Sequence, residues 1–159
     1  MTIAIGARLP EATLLHMADA GAQAVSLADK LKGRKVVIFG LPGAYTGTCS
    51  TAHVPSFIRT AKGFADKGVD EIICISVNDP FVMKAWGEAT GATAAGITML
   101  GDADASFSKS IGQTFDVPHL GFFARSKSEY RLDRAAKSRP ASIFCRKSDR
   151  SSDRVSDGL

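Results

Sequence analysis

The chain has 159 residues, 45% of them hydrophobic and 23% charged, the size and balance of one domain with an apolar core, not of a disordered or fibrous polymer. No window approaches the roughly 20 apolar residues of a membrane span, and the start MTIAIGARLPEATLL lacks the basic segment and apolar core of a secretory leader. A soluble, cytoplasmic protein with no membrane partner is therefore expected.

The net charge of +4 is unevenly placed: residues 1–125 hold 11 Lys/Arg and 11 Asp/Glu, whereas residues 126–159 hold 9 and 5. A nucleic-acid arm would have to rest on that last segment, where interleaved acids and few aromatics argue against it. No nucleic-acid partner is expected. Three scattered cysteines, Cys49, Cys74 and Cys145, are too few for a disulfide-stapled secreted scaffold and point to redox chemistry or burial in a reducing compartment.

After a polar N-terminal section, Val36-Val37-Ile38-Phe39-Gly40 is a short apolar run of the kind that forms a strand covered on both faces. A loop rich in Gly, Thr and Ser follows. From Val54 the residues Val54, Phe57, Ile58, Ala61 and Ala65 recur at helical spacing, with Pro55 near the first turn and Gly68 as a stop. EIICISV (71–77) predicts a second buried strand. Asp79 as N-cap and Pro80 at the first helical position predict a helix to about Thr90 with Phe81, Ala85 and Trp86 on one face. GITML then reads as a third strand, DADASFSKSIGQT as a helix with Ala105, Phe107 and Ile111 inward, and HLGFFAR as a fourth strand. The order βαβαβαβ predicts an α/β layered sheet.

Cys49 stands where the loop FGLPGAYTGTCSTAHVPSF (39–57) gives way to a helix. A thiol there meets unpaired backbone N–H groups and the positive end of the helix dipole, both of which favour thiolate. Positions 46 and 52 are Thr and Ala, which excludes a CxxC disulfide exchanger. Cys49 and His53 offer two metal ligands at helical spacing with no second cluster, too few for a structural zinc site. Thr46, three residues ahead of Cys49, can place a hydroxyl on the sulfur's side of the first turn. Pro42 fixes its own φ and restricts Leu41, shaping the loop and shielding the thiolate. Pro42 and Thr46 also suit ordinary turn positions, and the spacing alone leaves both roles open.

The spacing Pro42-x-x-x-Thr46-x-x-Cys49 within PGAYTGTCSTAHVPSF resembles the active-site signature of the peroxiredoxins. GLPGAYTGTC and KGVDEIICISVNDPFVMKAW (67–86) are similar to the peroxiredoxin 5, or type II (atypical two-Cys), subfamily, and the resemblance runs from about residue 3 to residue 127. It implies a thioredoxin-like α/β fold, with a central mixed sheet flanked by helices, and a peroxidase that needs no metal or organic cofactor. By the same resemblance Cys49 is the peroxidatic cysteine, Thr46 hydrogen-bonds peroxide and thiolate, Pro42 shields the site, and Arg125 in GFFARSK stabilises thiolate and transition state. Cys74 matches the resolving cysteine of some members, although a Cys amid Ile72, Ile73 and Ile75 also reads as core. Implied partners are a hydroperoxide substrate, glutaredoxin with glutathione or thioredoxin as reductant, and a second copy in a homodimer.

Past residue 127 the resemblance stops. The subfamily's next strand and acidic-Gly turn are not recognisable, and residues 126–159 carry eight serines and nine basic residues. The expected organisation is a peroxiredoxin domain over 1–127 and a divergent Ser/Arg-rich segment over 128–159 that is poorly ordered. With the strand missing, the support of Arg125 weakens, and a non-enzymatic redox sensor or interaction protein becomes the alternative. Cys145 has no counterpart in the subfamily.

Overall fold

The three apolar runs form the parallel heart of a sheet: β3 (Lys35–Leu41), β4 (Glu71–Ser76) and β5 (Ile97–Gly101). A computed structural model describes residues 2–4 and 6–134, so Cys145 and the expected poor order of residues 135–159 lie outside the described residues. Because successive side chains of a strand point to opposite faces, each run feeds two cores. Val37, Phe39, Leu41, Ile72, Cys74, Ile97 and Met99 line one face. Val36, Ile38, Ile73, Ile75 and Leu100 line the other.

Helices α2 (Val54–Asp66) and α3 (Pro80–Ala89) cover the first face, while α1 (Leu27–Leu31) and α4 (Ser106–Ser110) bring Leu27, Leu31 and Phe107 to the second. Most expected signals hold for α2: Val54 and Phe57 are buried, Ile58 and Ala61 pack against the same core, Pro55 stands in the first turn, and Gly68 at φ +72° closes the chain past the C-cap, whereas Ala65 is exposed and Phe64 packs on the core in its stead. Asp79 caps α3 by accepting the Val82 N–H at 2.9 Å. The inward face of α3 differs from the expected one. Met83, Trp86 and Gly87 are buried, whereas Phe81 is 68% exposed and Ala85 is exposed. The stripe 83, 86, 87 follows the helical repeat, and a Cβ on Gly87 would lie 2.7 Å from Met99 Cγ, so only a bare glycine lets α3 rest on β5.

The strands depart from the sequence reading in three places. The N-terminal section, read as polar, is a hairpin of β1 (Thr13–Ala18) and β2 (Gly21–Ser26), which gives the order β2-β1-β5-β4-β3. The segment read as a fourth strand, β7 (Phe122–Ser126), does not join this sheet; it pairs antiparallel with β6 (Thr114–Val117) in a separate ribbon. A turn over Pro118–Leu120 that closes at Gly121, φ +68°, folds β7 back on β6.

The third is β8 (Glu129–Arg134), which pairs antiparallel with β3 from Gly40↔Glu129 to Lys35↔Arg134. The sheet therefore extends beyond the boundary drawn at residue 127. The strand was hidden because the alternation in EYRLDR is mostly charged, a pattern that suits an edge strand and offers no apolar run to read.

Candidate active site

The loop leaving β3 is built around a glycine where a side chain would crowd Thr46. A Cβ on buried Gly43 would stand 3.3 Å from Thr46 Cγ2 and 3.8 Å from both Arg125 Nη1 and Asn78 Oδ1. Three side chains from separate elements thus converge on one backbone position. Thr46 donates its hydroxyl to the Gly43 carbonyl at 2.7 Å, which closes the loop and leaves its lone pairs free to accept. Between them Tyr45, 60% exposed, takes φ +59°, a left-handed conformation uncommon for a bulky residue.

The helical turn opens at Gly47, so Cys49 is its third residue, 4% exposed, where backbone N–H groups have no partner within the helix. Cys49–His53 is a π-turn: the Val54 N–H reaches back five residues to the Cys49 carbonyl. Such wide turns inside helices occur frequently at functional sites. The Ser50 N–H bonds the Thr46 carbonyl at 3.1 Å, and Trp86 Nε1 donates to Ser50 Oγ at 3.0 Å. Beneath the turn, Phe39 and Phe57 stack at 3.8 Å, with the His53 ring tilted 6.1 Å and 6.0 Å from them. Burial there lowers the His53 pKa, so its imidazole is neutral near pH 7.

Arg125 arrives from β7. Its Nη1 donates to the Val77 carbonyl at 2.6 Å and its guanidinium lies 5.2 Å over the Phe122 ring. Pairing of Phe115 with Arg125, the bond from Lys127 N–H to the Gln113 carbonyl, and the bond from Ala124 N–H to Asp116 Oδ1 hold this ribbon. The support of Arg125 comes from β6 and the β4–α3 junction, not from a strand beyond 127.

Of the residues singled out in the sequence, Pro42, Thr46 and Cys49 share one loop, with Pro42 half-buried at its start, and Arg125 joins them at Gly43. Cys74 lies in the same apolar cluster as Cys49 but is wholly buried in the middle strand. Its thiol pKa is pushed well above the usual range, first by burial and then by charge at Cys49, so Cys74 is held protonated near Cys49. Among the described residues no group of three or more His, Cys, Asp and Glu could hold a metal.

Sequence reasoning missed Asn78, whose Oδ1 accepts the Ala44 N–H at 2.9 Å and the Ser76 hydroxyl at 2.8 Å, and also missed the Ser50–Trp86 pair. Asn78 stood in view beside the N-cap Asp79. A polar residue at a strand end reads as an ordinary turn former, and nothing local points across to residue 44.

A family model described as Redoxin matches residues 4–134. The chain is 42% identical over 130 residues to Peroxiredoxin-2E-2, chloroplastic, of Oryza sativa subsp. japonica, covering 79% of this chain and 58% of that one. It is 54% identical over 91 residues to Peroxiredoxin-2F, mitochondrial, of Arabidopsis thaliana, covering 57% and 45%. The chain thus spans about half the length of these relatives. Among solved structures, reduced Prx3 in complex with H2O2 from Vibrio vulnificus matches at 39% identity with a TM-score of 0.82, over 96% of this chain and 92% of that one.

Proposed function

Since this chain belongs to the redoxin family and, within it, to the type II/5 peroxiredoxins, we propose that it is a thiol peroxidase that reduces hydrogen peroxide and alkyl hydroperoxides through Cys49. The observation that carries this reading is the convergence of Thr46 and Arg125 on Gly43, in the loop that leads to the buried thiol of Cys49. The Cys49 thiolate attacks one peroxide oxygen, the O–O bond breaks, and the departing oxygen takes up a proton to leave as water or alcohol. Cys49 becomes a sulfenic acid. Negative charge moves from sulfur to the departing oxygen in this step, so a fixed cation and oriented donors that meet it lower the barrier. Arg125 is assigned that stabilising role, Thr46 the role of holding the peroxide by hydrogen bonding, and Pro42 that of shielding the thiolate from water.

The sulfenic acid then condenses with a thiol, forming a disulfide and releasing water. The burial and protonation of Cys74 favour an external thiol for this step, glutathione with glutaredoxin or thioredoxin. Replacement Cys74→Ser should then leave turnover with such a reductant near wild type; loss of turnover, with a Cys49–Cys74 disulfide in the oxidised wild type, would reassign Cys74 as resolving. A homodimer belongs to the same proposal, and light scattering on the purified full chain tests it. The relatives named above are chloroplastic and mitochondrial, so they lend no support to the cytoplasmic location expected from sequence.

The deciding experiment mixes reduced protein with hydrogen peroxide in a stopped-flow and follows Trp86 fluorescence, with Cys49→Ser as control. Oxidation far faster than for a free thiol, absent in the variant, is the expected outcome. Peroxide consumption that survives Cys49→Ser would refute the assignment. A non-enzymatic redox sensor is not favoured, because its premise was a missing strand that leaves Arg125 unsupported, whereas Arg125 is held by β6 and Val77.

A further inference from the structure

The junction between β4 and α3, residues 77–79, is three residues long and touches both halves of the site. Val77 accepts the Arg125 guanidinium through its carbonyl at 2.6 Å, and Asn78 accepts the Ala44 N–H through Oδ1 at 2.9 Å. A backbone N–H can only donate, so the amide must present its oxygen to the loop. That same oxygen receives the Ser76 hydroxyl, which lies in turn 3.2 Å from the Leu41 carbonyl at the end of β3.

The junction cannot drift, for it is pinned from three sides. Asp79 caps α3, the Asn78 N–H bonds the Ser76 carbonyl at 2.8 Å, and Gly101 of β5 lies directly against the backbone. A Cβ on Gly101 would stand 2.5 Å from the Asn78 carbonyl oxygen and 3.2 Å from the Asp79 carbonyl carbon. A bare α-carbon at 101 is therefore the seat on which the junction rests.

We propose that Asn78 is a positioning residue of the peroxidase site: its neutral side-chain oxygen holds the Cys49 loop in register with Arg125, and Gly101 supports the junction from below. The inference rests on the proposed peroxidase for its consequence in catalysis, not for its geometry. Neutrality is part of the assignment. A carboxylate at 78 would still accept from Ala44 and Ser76, yet would bring a negative charge to the Gly43 position that Arg125 Nη1 also approaches. It would compete for the guanidinium and oppose thiolate formation.

Two variants of the full chain separate these contributions. Asn78→Ala removes the acceptor and Asn78→Asp keeps it while adding charge. The first measurement is the pH dependence of Cys49 alkylation by iodoacetamide, read by mass spectrometry of the Cys49 peptide so that Cys74 and Cys145 do not interfere. The second is hydrogen exchange of the segment containing Ala44, and the third is kcat/KM for hydrogen peroxide. Asn78→Ala should lose protection at Ala44 and about tenfold to a hundredfold in kcat/KM, the scale of a small misplacement of reacting groups. Asn78→Asp should keep that protection but move the alkylation profile to higher pH. A residue that merely stabilises the fold would lower the melting temperature and leave the alkylation profile in place.

Unchanged alkylation in Asn78→Asp, or unchanged Ala44 protection in a folded Asn78→Ala, overturns the proposal. Should Asn78→Ala fail to fold, Asn78→Asp alone decides it. Alkylation needs no peroxide, so a wild type without peroxidase activity whose variants still shift as described would refute the proposed function and leave the positioning role standing.

Discussion

Trp86 donates its indole N–H to Ser50 Oγ at 3.0 Å, which ties the residue after Cys49 to a helix 36 positions further along the chain. Trp86 is fully buried and packs in the same cluster as Cys49 and Cys74. The helix over the sheet therefore grips the cysteine turn directly.

Replacement Trp86→Phe keeps most of the apolar volume and removes that donor. A stability loss of about 1 kcal/mol is expected for the hydrogen bond itself, with a further cost from the smaller ring. The π-turn should open more readily, so Cys49 is alkylated faster at a fixed pH in the variant. Equal alkylation rates would show that the turn holds without the indole.

Arg125 and Thr46 make separable predictions. Arg125→Met loses the bond to the Val77 carbonyl and the cation near Gly43, so kcat/KM should fall about a hundredfold or more and the Cys49 alkylation profile should move to higher pH. Thr46→Val keeps the shape but loses the hydroxyl bonded to the Gly43 carbonyl, and should lower kcat/KM while Thr46→Ser restores most of it. Peroxide kinetics that do not distinguish Val from Ser at 46 would remove the hydroxyl from the mechanism.

Acid should weaken the cysteine turn through His53. Burial lowers the folded-state pKa of this imidazole below its usual 6.5, so the unfolded chain binds the proton first as pH falls. Stability contributed at neutral pH is lost as pH drops below about 6.5 toward the lower folded value. Replacement His53→Gln removes that titration. The stability gap between wild type and His53→Gln, from urea unfolding at several pH values, should shift against wild type between neutrality and acid; parallel profiles would contradict it.

Glu71 makes the opposite kind of group. Its side chain is only 8% exposed, and burial by itself would raise its pKa, but hydrogen bonds from Lys30 at 2.8 Å and Thr98 at 2.6 Å, with the charges of Lys30 and Arg34, bring it below the usual value. The stability it contributes is present above the ordinary Glu pKa of about 4.3 and is lost as pH falls through the lower folded value. Glu71→Ala should cost about 2–3 kcal/mol at pH 7, less than the roughly 3–5 of a fully buried pair because Lys30 and Arg34 stay a third exposed. The loss should shrink in strong acid, which denaturation at two pH values measures.

The amino-acid sequence alone determined the buried strands β3, β4 and β5, the glycine stop of α2 and the N-cap of α3, and the order of Pro42, Thr46 and Cys49 in one loop. Each of these is written in neighbouring residues: an apolar run, a capping side chain, a proline or glycine at a turn. The β1–β2 hairpin and β8 lacked an uninterrupted run of large apolar residues: His16 breaks TLLHMA, GAQAVS is built mostly of small residues and EYRLDR is mostly charged, so pairing makes them strands. Tertiary structure decided what meets at the site. The bonds of Asn78 to Ala44, of Trp86 to Ser50 and of Arg125 to Val77 span 34, 36 and 48 residues. A local pattern carries no information about such distant partners, since they come within reach only when the parallel strands align side by side and bring their loops to one end of the sheet.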